Sequence, residues 1–285
     1  MREDPAIAVR GLVKNYGELE AVRSVDFTVA RGEVFGLLGP NGAGKTTTVE
    51  ILEGYRDRTT GEVRVLGIDP QGQPAELRRR MGIVLQSTGI YRHIRVREAL
   101  EHFAALYPAP RDVDEVLALA GLEGKANDRA RRLSGGQLRR LDFALALVGD
   151  PELVFLDEPT TGFDPGARRN AWDTIRSLKG LGKTVVLTTH YLDEAQALAD
   201  RVAIMREGRI AVEGAPASLG QGERYLVSYR DTDGSLVQRE TDDPTVLLHE
   251  LTGEALADGR RLEGLTVGRP TLEDVYLELT ADGHG

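Results

Sequence analysis

The stretch Gly39–Thr47 carries the residue types that bind phosphate. It reads GPNGAGKTT and fits the pattern G-x-x-x-x-G-K-[ST]. Glycines at this spacing let successive backbone N–H groups converge on an anion, and the N-terminus of a following helix adds partial positive charge. The apolar run Val34–Leu38 before it and the helical spacing of Thr48–Leu52 after it give the strand, loop and helix that such a site needs. We therefore predict a nucleoside triphosphate site, in which Lys45 reaches the β- and γ-phosphates and the Thr46 hydroxyl binds Mg²⁺.

Two acidic residues follow a second apolar run. Asp157 and Glu158 come directly after Leu153–Leu156, which has the composition of a buried parallel strand. An acid at the end of such a strand in a phosphate-loop protein holds Mg²⁺, and we assign this role to Asp157. Glu158 is then placed to polarise an attacking water. The alternative is an acidic strand end before a turn at Pro159.

A second glycine-rich motif, Leu133–Gln137, reads LSGGQ and leads into the helical pattern of Leu138–Ala144. A glycine-rich helix N-terminus is an anion site, so the chain carries two separate elements that could contact phosphate.

With these motifs in place, the sequence resembles the nucleotide-binding subunit of ATP-binding-cassette (ABC) transporters over roughly residues 6–215. The order and approximate spacing of the family's motifs are matched by Gln86, Leu133–Gln137, Leu153–Glu158, Thr161–Asp164 and His190. The family has Leu where this chain has Phe163, and we expect altered packing there with catalysis retained.

The resemblance implies a role for each matched residue. It implies that Tyr16 stacks on adenine, where the alternative is an ordinary turn tyrosine. Gln86 would contact Mg²⁺ or water and sense the helical insertion, although a Gln at a strand end is usually only solvated. His190 would hydrogen-bond the γ-phosphate, the alternative being a structural histidine. Asp164 would lie at a dimer interface, with helix capping as the alternative.

The expected site therefore has three overlapping sets of residues. The catalytic set is Lys45, Gln86, Glu158 and His190. The Mg²⁺ set is Thr46, Gln86 and Asp157. The residues expected to bind ATP are Tyr16, Gly39, Pro40, Asn41, Gly42, Ala43, Gly44, Lys45, Thr46, Thr47, Ser134, Gly135, Gly136 and Gln137.

The resemblance also implies partners. Two cassettes would pack head to tail, so that Ser134 and Gly136 of one chain reach the γ-phosphate held at Lys45 of the other. ATP would close this homodimer, and its hydrolysis to ADP and phosphate would open it and drive a separate transmembrane permease.

The rest of the pattern predicts an α/β fold with a phosphate-loop NTPase core. Short alternating strands on either side of a turn signal at Asn15–Gly17 predict an antiparallel β subdomain beside this core. Proline-broken helical spacing over about residues 87–133 predicts a helical insertion. We expect an ABC ATPase domain over residues 1–220 and a small acidic C-terminal α+β extension over residues 221–285.

Composition limits location and partners. The 285 residues contain no cysteine, which fits the cytosol. No apolar run approaches the ~18 residues that cross a bilayer, and the start of the chain lacks the apolar core of a signal peptide. The formal charge of −9 disfavours nucleic acid as a partner, and most of it lies after residue 223. We expect a peripheral protein at the cytoplasmic face of the plasma membrane, held there by the permease.

Three further stretches resemble cassettes of bacterial multidrug exporters of the daunorubicin-resistance type. They are Arg269–Thr280, Ile51–Arg56 and Gly67–Pro70. This resemblance implies export of drugs, antibiotics or other hydrophobic compounds, although Arg269–Thr280 could also be a simple amphipathic terminal helix. The alternative function is a soluble cassette ATPase that acts on ribosomes or nucleic acid. The single cassette, the absence of a heptad insertion and the acidic C-terminus argue against it.

Overall fold

The computed structural model describes residues 4–85, 89–219, 224–231 and 233–281. Contacts divide it into two compact units, with the division between Glu213 and Gly214. The domain assignment of 1–220 and 221–285 stays a prediction. In the described part of the chain, no helix combines the length and the apolar character that a bilayer crossing requires.

The first unit begins with an antiparallel sheet of three strands, β1 (Ile7–Tyr16), β2 (Leu19–Val29) and β4 (Thr60–Val65), in the order β2-β1-β4. The turn signal at Asn15–Gly17 marks this hairpin, but the strand runs further than we expected. Asn15 pairs with Glu20 and Tyr16 pairs with Leu19, because a two-residue turn with Gly17 at positive φ lets the ladder continue to its end.

A second sheet of six strands forms the centre of this unit. Its members are β3 (Val34–Leu38), β5 (Met81–Val84), β6 (Leu153–Asp157), β7 (Thr184–Thr189), β8 (Arg201–Arg206) and β9 (Arg209–Gly214). The order is β5-β6-β7-β3-β8-β9, and the pairs from β5 to β8 are parallel. Every residue of β3 and β7 is buried, as expected for parallel strands covered on both faces.

Helices connect these strands. They are α1 (Lys45–Leu52), α2 (Ala75–Arg80), α3 (Val96–Ala104), α4 (Val113–Leu119), α5 (Gly135–Leu147), α6 (Pro165–Gly180) and α7 (Leu192–Leu198). The antiparallel sheet packs on one face of the central sheet, where the rings of Phe27 and Phe35 stack at 5.4 Å. Helix α2 was missed by the sequence reading, because its six residues are too short to show a helical period.

The helical insertion has its own core, in which Leu100 of α3 and Leu117 of α4 pack against Leu141 of α5. Asp112 caps α4 as its sequence position predicts, because its carboxylate accepts from the N–H groups of Asp114 (2.9 Å) and Glu115 (3.1 Å). The helix α5 therefore serves both as the element after the LSGGQ motif and as one wall of the insertion.

The second unit is a small α+β structure. Three antiparallel strands, β10 (Tyr225–Arg230), β11 (Leu236–Thr241) and β12 (Glu263–Gly268), lie in the order β11-β10-β12. They are accompanied by α8 (Pro244–Ala257) and α9 (Leu272–Ala281). Its core contains Val227, Tyr229 and Leu251. The predicted fold class, a phosphate-loop α/β core with these additions, is confirmed.

Helix α1 ends at a buried carboxyl group. Glu53 is 5% exposed, and its Oε1 has no hydrogen-bond partner among the described residues. Burial raises the pKa of Glu53 to about 8, and the negative charges of Asp157 and Glu50 add to the rise. The group therefore keeps its proton in the folded protein at pH values where an unfolded glutamate, with a pKa of 4.5, has lost it.

This difference predicts how stability depends on pH. Since the folded pKa of Glu53 lies above the unfolded value, Glu53 favours the folded state most below about pH 4.5, where it is protonated in both states. This contribution to the free energy of unfolding is lost as pH rises towards 8. We expect Glu53→Gln to remove this loss, and to exceed the wild type by up to roughly 5 kcal/mol in free energy of unfolding at pH 9. Urea unfolding followed by the fluorescence of Trp172 at pH 5 and pH 9 measures both proteins. Equal pH slopes for the two would show that Glu53 does not titrate in this window.

Candidate nucleotide-binding site

Three loops meet at the carboxyl edge of the central sheet. The strands β6, β7 and β3 are neighbours, and their register pairs Asp157 with Thr188 and Leu38 with Thr189. The loop after β3, the acidic pair after β6 and the histidine after β7 therefore leave the sheet side by side. Ligands bind at this edge in open parallel sheets.

Two glycines allow the loop Gly39–Thr47 to lie close to the backbone of neighbouring segments. A Cβ at Gly39 would lie 2.3 Å from the carbonyl oxygen of Met205, and one at Gly44 would lie 2.6 Å from that of Ala21. Both residues also have positive φ, 148° and 101° respectively, which side chains disfavour. Gly44 accepts the first backbone bond of α1 from Thr48 at 2.9 Å, so the helix begins directly at the loop.

Lys45 lies over its own loop. Its Nζ donates to the carbonyl oxygens of Gly39 (2.6 Å) and Pro40 (3.0 Å), and its side chain is buried. Burial lowers the pKa of Lys45, and the negative charges of Glu158 and Asp157 oppose this shift. The backbone N–H groups of the loop around this ammonium group can also bind an anion.

Thr188 organises the acidic pair. Its hydroxyl donates to Asp157 Oδ1 at 2.6 Å and accepts from the backbone N–H of Glu158 at 3.0 Å. The backbone of Glu158 has φ 43°, a conformation that costs energy for any residue with a side chain. Two bonds from its N–H, to the hydroxyl and the carbonyl oxygen (3.2 Å) of Thr188, hold it there.

The Glu158 carboxylate is fixed by two side chains. Its Oε2 accepts from Thr161 Oγ1 at 3.1 Å, and its Oε1 lies 3.2 Å from His190 Nδ1. Because an ionised carboxylate only accepts hydrogen bonds, a hydrogen on Nδ1 is the donor in this contact. Such a carboxylate is suited to act as a general base, with the imidazole beside it.

The Ser134 motif forms the N-terminus of α5. The Ser134 hydroxyl accepts from the Gln137 N–H at 3.3 Å, and the Gln137 side chain accepts from the Ser134 N–H at 3.0 Å. This reciprocal cap leaves Ser134 and Gly135 exposed. The motif borders a cavity of about 630 Å³ that Phe163 also lines. Within the described chain, no hydrogen bond or ion pair joins Ser134 to the phosphate loop.

Tyr16 lies at the end of β1 and is 39% exposed. Lys14 Nζ lies 5.0 Å from its ring centroid and Arg56 Cζ lies 5.2 Å from it. Two cationic side chains therefore lie over the ring. Stacking of Tyr16 on adenine stays a prediction.

The other predicted residues have different outcomes. Gln86, expected to contact Mg²⁺ and to act in catalysis, lies outside the described residues. Asp164 caps α6, because its Oδ1 accepts from Gly166 N–H (2.8 Å) and Ala167 N–H (2.9 Å). This is the capping alternative considered for Asp164, and a place at a dimer interface stays a prediction.

Sequence reasoning missed three buried polar residues around this edge. They are Thr188, Arg139 and Glu194, which are 1%, 5% and 0% exposed. Glu194 accepts from Thr160 Oγ1 at 2.8 Å and from Trp172 Nε1 at 3.2 Å, and burial raises its pKa. None of them belongs to a spacing motif, so only the polar residue type at an otherwise buried position could have indicated them.

Comparison with known proteins gives the family. The ABC transporter family model matches residues 22–161. The daunorubicin resistance ATP-binding protein DrrA3 of Streptomyces coeruleorubidus is 38% identical over 306 residues, covering 98% of this chain and 97% of that protein. The Nod factor export ATP-binding protein I of Rhizobium johnstonii is 38% identical over 300 residues, covering 96% and 94%.

Solved structures agree. An ATP-binding cassette of an ABC transporter in an ADP conformation has a TM-score of 0.68 and 26% identity, covering 74% of this chain and 91% of that chain. A dimeric cassette in a post-hydrolysis state with ADP and phosphate has a TM-score of 0.63 and 26% identity, covering 73% and 98%. An ATP-binding subunit with a TM-score of 0.71 covers 96% and 99% and, at 24% identity, shows the shared fold. The resemblance drawn from the motifs is confirmed: the chain belongs to the ABC transporter family, as an ATP-binding and ATP-hydrolysing subunit of a transporter.

Proposed function

We propose that this subunit powers export of drugs, antibiotics or other hydrophobic compounds through a separate permease. The observation that carries this proposal is the 38% identity, over 98% of the chain, with a daunorubicin resistance ATP-binding protein. A Nod factor export protein at the same identity also favours the outward direction.

In hydrolysis, each charged residue at the sheet edge has a separate task. Lys45 exchanges its two loop carbonyls for the β- and γ-phosphate oxygens of ATP, and the loop N–H groups bind the remaining phosphate oxygens. Glu158 accepts a proton from the attacking water. His190 orients Glu158 through Nδ1–H, and a second hydrogen on Nε2, as in the imidazolium, would donate to the γ-phosphate.

The donor set fits Mg²⁺. Asp157 supplies one carboxylate and Thr46 one exposed hydroxyl, and Gln86 is the third proposed ligand. In the described part of the chain, no cluster of three or more acidic or histidine side chains could form a protein-only metal site. A metal with few protein ligands that keeps phosphate oxygens and water matches Mg²⁺. When bound, it would neutralise charge on the phosphates.

The proposed assembly is a homodimer in which Ser134 of one chain completes the site at Lys45 of the other. Ser134 and Gly135 are exposed and make no contact with their own phosphate loop among the described residues, which supports a role towards a second chain. A two-fold axis would then give two equivalent sites.

The proposed location is the cytoplasmic face of the plasma membrane, bound to the permease. Purification of the tagged chain from detergent-solubilised membranes tests this, and we expect a polytopic membrane protein to co-purify. Recovery of ribosomes or nucleic acid in its place would favour the alternative, a cassette ATPase without a transport role.

The first prediction from the proposed function concerns the Thr188 hydroxyl, which bonds to both Asp157 and Glu158. Thr188→Val keeps the shape of the side chain but leaves Asp157 Oδ1 without its donor. Since a hydrogen bond to a charged group is worth about 1.5–3 kcal/mol, we expect kcat to fall by about ten- to a hundredfold. The Mg²⁺ concentration for half-maximal ATPase rate should rise.

Thr188→Ser is the matched control for this substitution, because it retains the hydroxyl. It should keep most of the activity. Equal rates for Thr188→Val and the wild type would show that this hydroxyl does not organise the acidic pair.

The second prediction tests the base and the dimer together. Glu158→Gln removes the proton acceptor and retains a similar shape, so we expect ATP to bind without turnover and to trap a dimer. Light scattering at saturating ATP and Mg²⁺ should report twice the chain mass of 31.1 kDa. Adding Lys45→Ala should return this variant to the monomer mass. A monomeric Glu158→Gln protein with ATP bound would contradict the shared site.

A further inference from the structure

Arg139 is a buried guanidinium on α5, five residues after Ser134 in sequence. It is 5% exposed and donates to three backbone carbonyls that lie on other elements. Its Nε bonds to Pro159 at 3.2 Å, its Nη2 to Asp157 at 3.5 Å, and its Nη1 to Leu85. Asp142 Oδ2 lies 3.9 Å from Nη1 on the same helix.

These carbonyls belong to two segments of the candidate site, the one around Glu158 and the one that precedes Gln86. Asp157 and Pro159 flank Glu158, so Arg139 is bound to the backbone on both sides of the general base. Leu85 immediately precedes Gln86 in sequence, so Arg139 also binds the end of β5 from which that residue follows.

The segment around Glu158 is also held by a hydrogen bond to Glu194. Thr160 donates to the buried carboxylate of Glu194 at 2.8 Å, and the same oxygen accepts from Trp172 at 3.2 Å. Residues 157–160 are therefore joined to α6 and α7 by Glu194 and to α5 by Arg139. A displacement of α5 is thus transmitted to this segment by polar contacts. Two of them, Arg139 to Pro159 and Thr160 to Glu194, are buried, and such bonds are strong away from water.

In the proposed homodimer, on which this inference rests, the N-terminus of α5 and Glu158 lie at different nucleotides. The N-terminus of α5 contacts the ATP of the partner, and Glu158 acts on the ATP of its own chain. We propose that Arg139 is a positioning residue that couples the two ATP sites of the dimer, by joining the Ser134 end of α5 to the backbone that holds Glu158.

The residue type supports this reading. Desolvation of a charged group is costly, and an apolar residue of similar volume often stabilises a core as well or better. Only arginine presents several donors in a planar fork, so it can bind three carbonyls on two strand ends at once. A lysine at this position would keep the charge but could not reproduce that arrangement.

The test uses two inactive chains that complement each other. Chain X carries Ser134→Arg, which blocks the helix end that serves the partner. Chain Y carries Lys45→Ala, which removes the lysine proposed to bind the phosphates. Each homodimer lacks a complete site, whereas the mixed dimer has one, made of Lys45 and Glu158 from X and Ser134 from Y.

Arg139→Gln is then placed in X alone or in Y alone. In X it loosens the backbone around the working Glu158, and in Y it loosens the helix whose Ser134 completes the site. We expect a fall in kcat of about tenfold in both placements, with the KM for ATP changed less than about threefold. A fall in only one placement, or in neither, overturns the coupling role.

Four controls separate coupling from loss of folding, from an effect of charge alone and from failure of the dimer. The unfolding midpoint of each mixed sample should stay close to that of its parent, and exposed Arg132→Gln should leave the rate unchanged. Arg139→Lys should not restore the rate; full restoration would show that charge alone is used and would overturn the proposal. If X and Y together show no activity while the wild type hydrolyses ATP, the shared site itself is wrong, and the coupling is wrong with it.

Discussion

The site depends on the parallel hydrogen-bonded register of three neighbouring strands. Since β6, β7 and β3 pair directly, residues that are far apart in sequence leave the sheet at one edge. This pairing brings the phosphate loop, the Asp157–Glu158 pair and His190 to the same edge. Glu158 and Gly39 each directly follow the last residue of a strand, and both have positive φ.

Charge balance at this edge follows from the same geometry. A buried ammonium group, Lys45, lies near two carboxylates and donates to two carbonyls of its own loop. Each carboxylate has a defined donor, Thr188 for Asp157 and Thr161 for Glu158. In the proposed mechanism the two carboxylates are already held in place, and preorganised groups of this kind are the usual source of electrostatic catalysis.

The sequence predicted much of this structure, because the family's motifs combine residue type with fixed spacing. The phosphate-loop core, the antiparallel subdomain, the helical insertion and the C-terminal extension were all predicted. The extent of β1 and the short α2 were not, because turn residues are tolerated inside a hairpin ladder and six residues carry no clear period.

The polar residues that support the site were missed for a different reason. Thr188 directly follows the apolar run Val185–Leu187, Arg139 lies next to Arg140, and Glu194 lies next to Asp193 at the start of α7. Whether such a side chain is buried depends on which face packs against the rest of the protein, and this is decided by tertiary contacts. Their roles and those of the motif residues in catalysis stay predictions.

In the proposed homodimer each ATP is shared by two chains. An experimental structure of the Glu158→Gln variant with ATP and Mg²⁺ measures this sharing most directly. We expect each γ-phosphate to lie within hydrogen-bond distance of Lys45 from one chain and of Ser134 from the other. A γ-phosphate bound by residues of a single chain, with Ser134 of both chains remote from it, would rule out a shared site.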